Sequence, residues 1–218
     1  MDLLKDWWVN LRIDWPFIEY EGKANGFAQD YEGTLPAFFA DLEATSPELR
    51  KEYYNLQFYD LLLTMVSHRD LASIRRLFEL CPGWNGQGYI EGLTPLGQAL
   101  DNRDLACMRF LLEKGADPEI YEQTLTVLES AIYDGMGMEV YCMLLDFGAI
   151  FTSKALLALA SEGNADAIRY LLDNAHSLQH DTRAGLLEVS LEEADVYVSP
   201  EERLPDVLAL LRELQNET

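Results

Sequence analysis

Through the middle of the chain the apolar residues recur at helical spacing, in short runs set apart by turn residues. Leu96, Ala99 and Leu100 form one stripe. Leu105, Met108, Leu111 and Leu112 form the next, at i, i+3, i+6 and i+7. Thr94 offers a hydroxyl to cap the first run, and Pro95 stands where a missing N–H costs nothing. Asn102-Arg103-Asp104 makes the turn between the runs, and Gly115 ends the second, as suits a residue in the left-handed region. The pattern predicts two short helices joined by a tight turn. Small Ala99 lets neighbouring helices approach closely.

The same pattern is written more than once. RDLASIRRLFE, from Arg69, shares seven of eleven positions with RDLACMRFLLE, from Arg103, and lies 34 residues before it. Leu62, Leu71, Ile74, Leu77 and Phe78 thus stand one period ahead of their counterparts, with Leu71 and Leu105 predicted at equivalent core positions, and Pro82-Gly83 breaks that helix. A further copy runs from Thr126 to Ala149 with one extra residue near Gly135-Met136-Gly137. Another runs from Lys154 to Ala175 without the Thr-Pro start. A repeat of this length marks a stack of helix pairs, because no single pair can bury its apolar face alone.

The segment GLTPLGQALDNRDLACMRFLLEKGADPE, Gly92 to Glu119, resembles the ankyrin repeat. The family pattern is G-x-T-P-L-H-x-A followed by a second helix ending L-L-x-x-G-A-D. Thr94, Pro95, Leu96 and Ala99 match its first part, and Leu111, Leu112, Gly115, Ala116 and Asp117 its second. Gly97 replaces the family histidine, and Arg103 replaces the glycine between the helices. The expected fold is mainly α, an ankyrin-like helical repeat solenoid with a non-repeat N-terminal cap. The repeats are expected over 56–181 and a degenerate final repeat or C-terminal helical cap over 182–218.

In that last part, a helix is predicted around Gly185–Ala194 and an amphipathic one over Glu202–Asn216, with Leu208, Leu211 and Leu214 on its stripe. Between them, DVYVSPEE from Asp195 reads as a loop or a short extended insertion. The cap, 1–55, is rich in aromatic and β-branched residues and compatible with one or two short strands near its start. Trp7, Trp8, Trp15, Phe17, Phe38 and Phe39 are expected to pack over the first repeat. Ser46-Pro47 reads as the start of a helix.

Charge changes the picture more than composition does. Sixteen basic residues face 38 acidic ones, a net charge of -22. Residues 116–218 carry five basic and twenty acidic side chains, so -15 of that total lies in the second half. Such a balance disfavours direct contact with nucleic-acid phosphates or an anionic membrane and suits a basic protein partner. No run approaches the length of a membrane span, the N-terminus lacks the apolar core of a signal peptide, and three unpaired cysteines imply reduced thiols. A cytoplasmic location is expected.

Catalytic chemistry has little to stand on. The sequence contains no G-x-S-x-G, phosphate-binding loop, G-x-G-x-x-G or H-E-x-x-H. His176 and His180 stand four apart near Asp173 and Asp181, but no third strong ligand follows at fixed spacing, and the segment reads as a loop. Neither an enzyme nor a cofactor is expected.

In the ankyrin family the concave side, made of the inter-repeat loops and first helices, is the usual binding surface. Carried to this chain, the resemblance implies a surface containing Glu119, Tyr121, Glu122, Glu129, Tyr133, Asp134 and Glu162, continued by Glu188, Glu192, Glu193 and Asp195. Tyrosines among carboxylates offer aromatic anchors in a field of charge. The expected function is a non-enzymatic scaffold that captures and neutralises a basic protein, in the way a bacterial immunity protein covers a secreted toxin. A nucleic-acid mimic and a general ankyrin-type adaptor are the alternatives.

Overall fold

The computed structural model describes residues 31–51, 56–84, 86, 94–119, 125–180, 182–198 and 204–217. They fall into two compact units, divided between Ala116 and Asp117. Those of the first form α1 (Tyr31–Ala44), α2 (Pro47–Lys51), α3 (Leu56–Ser67), α4 (Leu71–Leu80), α5 (Pro95–Asp101) and α6 (Leu105–Glu113). Those of the second form α7 (Val127–Tyr133), α8 (Met138–Asp146), α9 (Ser153–Ser161), α10 (Ala165–Asn174), α11 (Arg183–Tyr197) and α12 (Leu204–Asn216). No strand occurs among the described residues; a lone parallel bridge joins Phe151 to Leu178. The helical-repeat architecture expected from the sequence is present.

In the first unit α3 pairs with α4 and α5 with α6, while α3 packs on α5. Each turn within a pair has one design. Arg69 and Arg103 adopt φ of 55° and 52°, and Gly135 and Gly163, at the same place in later pairs, adopt 60° and 69°. The next residue then reaches back five positions: Asp70 N–H to Met65, Asp104 to Ala99, Met136 to Ala131 and Asn164 to Leu159. This satisfies a carbonyl at the end of the first helix. In three turns that same residue also opens the second helix, its side chain accepting from Ser73, Cys107 or Ala167 N–H. The extra residue of the third copy splits these roles. Met136 closes α7, while Gly137, at φ 90°, precedes α8 and offers no side-chain cap.

Two repeat assignments are sharpened. The copy beginning at Lys154 keeps a threonine start after all, placed two residues earlier: Thr152 caps α9, which runs nine residues against seven in α5 and α7. Leu71 and Leu105 are equivalent, each following the cap residue, but only half-buried. The sealed positions are Ile74 and Leu77 in α4 and Met108 and Leu111 in α6.

At the start of the described chain, Phe38 is fully buried and meets the edge of Phe58 in α3, at 6.3 Å between centroids, while Arg76 of α4 lies over Phe39. These two phenylalanines pack on the first helix pair as expected. Trp7, Trp8, Trp15, Phe17 and the strand-like segment lie outside the described residues. Arg50 ties this end together. Its guanidinium donates to the carbonyls of Thr45, Glu43 and Leu80, closing the C-termini of both α1 and α4.

In the second unit α9 is central, packing on α7, α10, α11 and α12. Helix α11 continues to Tyr197, so Asp195, Val196 and Tyr197 are helical rather than part of the loop or extended insertion predicted there. The core stripe of α12 is Val207, Leu211 and Leu214, with Leu208 beside it and only partly covered. Arg169 of α10 pairs with Glu213 of α12, with Glu217 just past its end, and with Asp166.

Candidate partner-binding groove

Helix starts set the geometry of the second unit's acidic face. Thr126 and Glu129 form a capping box on α7: Glu129 N–H donates to Thr126 Oγ1 at 3.2 Å, and Thr126 N–H donates to Glu129 Oε2 at 2.9 Å. The other oxygen of Glu129 accepts from the Thr152 hydroxyl at 2.6 Å, and that hydroxyl in turn caps α9 by accepting from Ala155 N–H. One carboxylate therefore joins the N-termini of two successive first helices, where the helix dipoles favour negative charge. Glu129 is 3% exposed.

Glu119 and Glu193 are anchored in a related way. Glu119 Oε1 accepts from Ile150 N–H at 2.9 Å, tying together the loops that follow two successive helix pairs. Burial, then Asp117 and Glu129, push its carboxyl above the usual range, opposed by the Ile150 hydrogen bond. Glu193, from α11, accepts the Ser153 hydroxyl on Oε2 at 2.5 Å, and Ser153 N–H donates to Gln179 Oε1. Among the described residues, Glu119 Oε2 and Glu193 Oε1 accept no hydrogen bond.

These groups enclose a groove of 510 Å³. Among the described residues, Glu119, Glu129 and Glu193 line it with Lys154 and Tyr197, three carboxylates beside one ammonium. Lys154 Nζ lies 5.3 Å from the centroid of the Tyr197 ring. At the end of α7, Tyr133 is 51% exposed; burial of part of the ring, Glu129 and Tyr197 all push its phenol up. Val196 and Tyr197 are 72% and 39% exposed.

Of the residues expected on the binding surface, Glu119, Glu129 and Glu193 come together in the groove, with Tyr133 electrostatically coupled to Glu129 and Tyr197. Asp134 and Glu162 are exposed at the ends of α7 and α9, and Glu188 and Glu192 are exposed on α11; none of the four lines the groove. Asp195 belongs to α11, and Tyr121 and Glu122 lie outside the described residues. Lys154, Gln179 and Tyr197 were not expected there. Tyr197 carried a legible signal, an aromatic closing the acidic run Glu192-Glu193-Ala194-Asp195. Lys154 and Gln179 carried none, since neither is unusual in its own segment. His176 and His180 are exposed in the loop before α11. No cluster of three or more His, Cys, Asp or Glu among the described residues is arranged to hold a metal ion.

Comparison with known proteins agrees with the repeat motif. Residues 91–122 match the family model for the ankyrin repeat, the stretch whose Thr-Pro-Leu and Leu-Leu-x-x-Gly-Ala motifs carry the resemblance. The chain thus contains an ankyrin repeat, a module that serves protein–protein interaction and is generally not catalytic. Similar solved structures include the following two. The ankyrin repeat protein EF0377 is 21% identical, with a TM-score of 0.49, over 70% of this chain and 80% of that one. An ankyrin repeat domain (ABAYE2397) from Acinetobacter baumannii AYE is 18% identical, with a TM-score of 0.45, over the same shares. No curated protein matches the chain. Among the described residues no helix is long and apolar enough to cross a membrane.

Proposed function

We propose that this protein is a non-enzymatic capture scaffold whose acidic second half binds and neutralises a basic protein, in the manner of a cytoplasmic immunity protein that covers the working surface of a toxin. The observation that carries the reading is the groove, where Glu119, Glu129 and Glu193 converge beside exposed tyrosines. Twenty acidic against five basic residues over 116–218 supply the long-range attraction that would speed encounter. Exposed Asp134, Glu188 and Glu192 extend the field, and Tyr133 and Tyr197 offer the large amphipathic faces on which binding energy concentrates.

Affinity capture from the source cell, followed by kinetics on the purified pair, tests this. The expected partner is basic, and its association rate falls about tenfold or more between low and moderate salt. Neutralising Asp134, Glu188 and Glu192 together slows association without changing the fold. An acidic partner, or a rate indifferent to both salt and these substitutions, rules the reading out. If the partner is a nuclease, the same contact would also exclude its nucleic acid.

A further inference from the structure

A cation already sits in the acidic groove, and it belongs to the chain itself. Lys154 Nζ rests over the face of Tyr197, within the roughly 6 Å at which a ring quadrupole attracts a positive charge. Yet among the described residues three carboxylates line the groove, more negative charge than that one ammonium neutralises. Two of them, Glu119 and Glu193, are each fixed through one oxygen, by Ile150 N–H and by the Ser153 hydroxyl. The second oxygen of each makes no hydrogen bond among the described residues. These are acceptors held in place before any ligand arrives, so little ordering remains to be done on binding.

We propose that this groove is the anchor pocket for an arginine side chain of the protein partner, and that Lys154 is an internal stand-in which the arginine displaces from Tyr197. The inference rests on the capture reading above and names what that site recognises. A cluster of acids alone would draw any cation. The aromatic wall and the anchored carboxylates together select a guanidinium. It is planar, stacks on a ring face, is more weakly hydrated than an ammonium, and presents several N–H donors in a rigid fork to carboxylate oxygens. The volume, 510 Å³, lies within the range of pockets that bury a ligand.

The test is an amide-resolved NMR titration of the full chain with N-acetyl-arginine methylamide, alongside its lysine and citrulline counterparts. The arginine compound is expected to give saturable shifts at Glu119, Thr152–Lys154, Gln179, Glu193 and Tyr197, to bind several-fold tighter than lysine, and to lose binding as citrulline. Tyr197→Leu, which keeps apolar contact but removes the ring, should weaken arginine about threefold to thirtyfold. Lys154→Gln should strengthen it more than Arg212→Gln, which makes the same charge change outside the groove. Equal binding of arginine and lysine, or shifts spread without saturation over the acidic surface, overturns the assignment. So does a basic partner that binds Tyr197→Leu at full affinity; that result leaves the capture reading standing. A partner without a basic surface overturns the capture reading, whatever the arginine compound does.

Discussion

Truncating Glu129 separates two roles that the sequence could not tell apart. As a surface carboxylate it would matter for binding and hardly for stability, since substitutions at exposed positions usually fall within about 0.5 kcal/mol. As the buried group that receives Thr126 N–H at 2.9 Å and the Thr152 hydroxyl at 2.6 Å, it should matter for folding. A hydrogen bond to a charged group contributes about 1.5–3 kcal/mol net, and loss of a helix cap costs about 1 kcal/mol. Because the groove is open to water, which can take over part of the lost bonding, the lower ends apply. Glu129→Ala should therefore destabilise the protein by about 3 kcal/mol. Glu129→Gln keeps one acceptor oxygen and should lose about half of that. Removing the charge also relieves repulsion with Glu119. That term works through space, while the hydrogen bonds are direct, so stability still falls. Urea unfolding followed by circular dichroism gives the values. A double-mutant cycle with Thr152→Val should return a coupling of about 1 kcal/mol for the bridge between α7 and α9. A loss below about 1 kcal/mol for Glu129→Ala, or no coupling with Thr152, would refute the reasoning and return Glu129 to the surface set.

Other consequences can be measured directly. A Cβ on Gly163 would meet nothing within 4 Å, so Gly163→Ala tests the backbone alone: at φ 69° it should cost about 1 kcal/mol, read from urea midpoints. Because the Glu119 carboxyl is held above its ordinary value, the folded chain binds more protons there than the unfolded one, and this residue's contribution falls as pH rises from the ordinary carboxylate range through the raised value. Glu119→Gln should remove that part of the pH slope of stability. Burial and Asp104 push the Cys107 thiol up to about 12, so a thiol reagent at mildly alkaline pH should label half-exposed Cys142 while Cys107 stays silent until unfolding.

How much was readable depends on the range over which each feature is determined. The helix pairs were legible because their signals are local: Thr94 before Pro95, the apolar spacing from Leu105 to Leu112, and Gly115 at the left-handed end. The four matching turns were legible for the same reason, although Arg69 and Arg103 stand where glycine would relieve the backbone. The reach of α11 was missed because Asp195-Val196-Tyr197 has β-branched and aromatic character; the burial of Ala194 and Val198 against the second unit outweighs that local preference.

From the sequence alone came the repeat, its caps and turns, and the excess of acid in the second half. These are properties of neighbouring residues or of simple sums, and chain order is enough to read them. Which carboxylates are structural and which face a ligand was decided only by tertiary packing. Glu129 and Thr152 are 23 residues apart, Glu119 and Ile150 are 31, and Ser153 and Glu193 are 40. Burial makes a hydrogen bond across such distances count, because a polar group removed from water must find its partner inside the fold. The same packing carried Lys154 onto Tyr197 and, among the described residues, left one oxygen on each of two anchored carboxylates without a hydrogen bond, turning an acidic composition into a shaped groove.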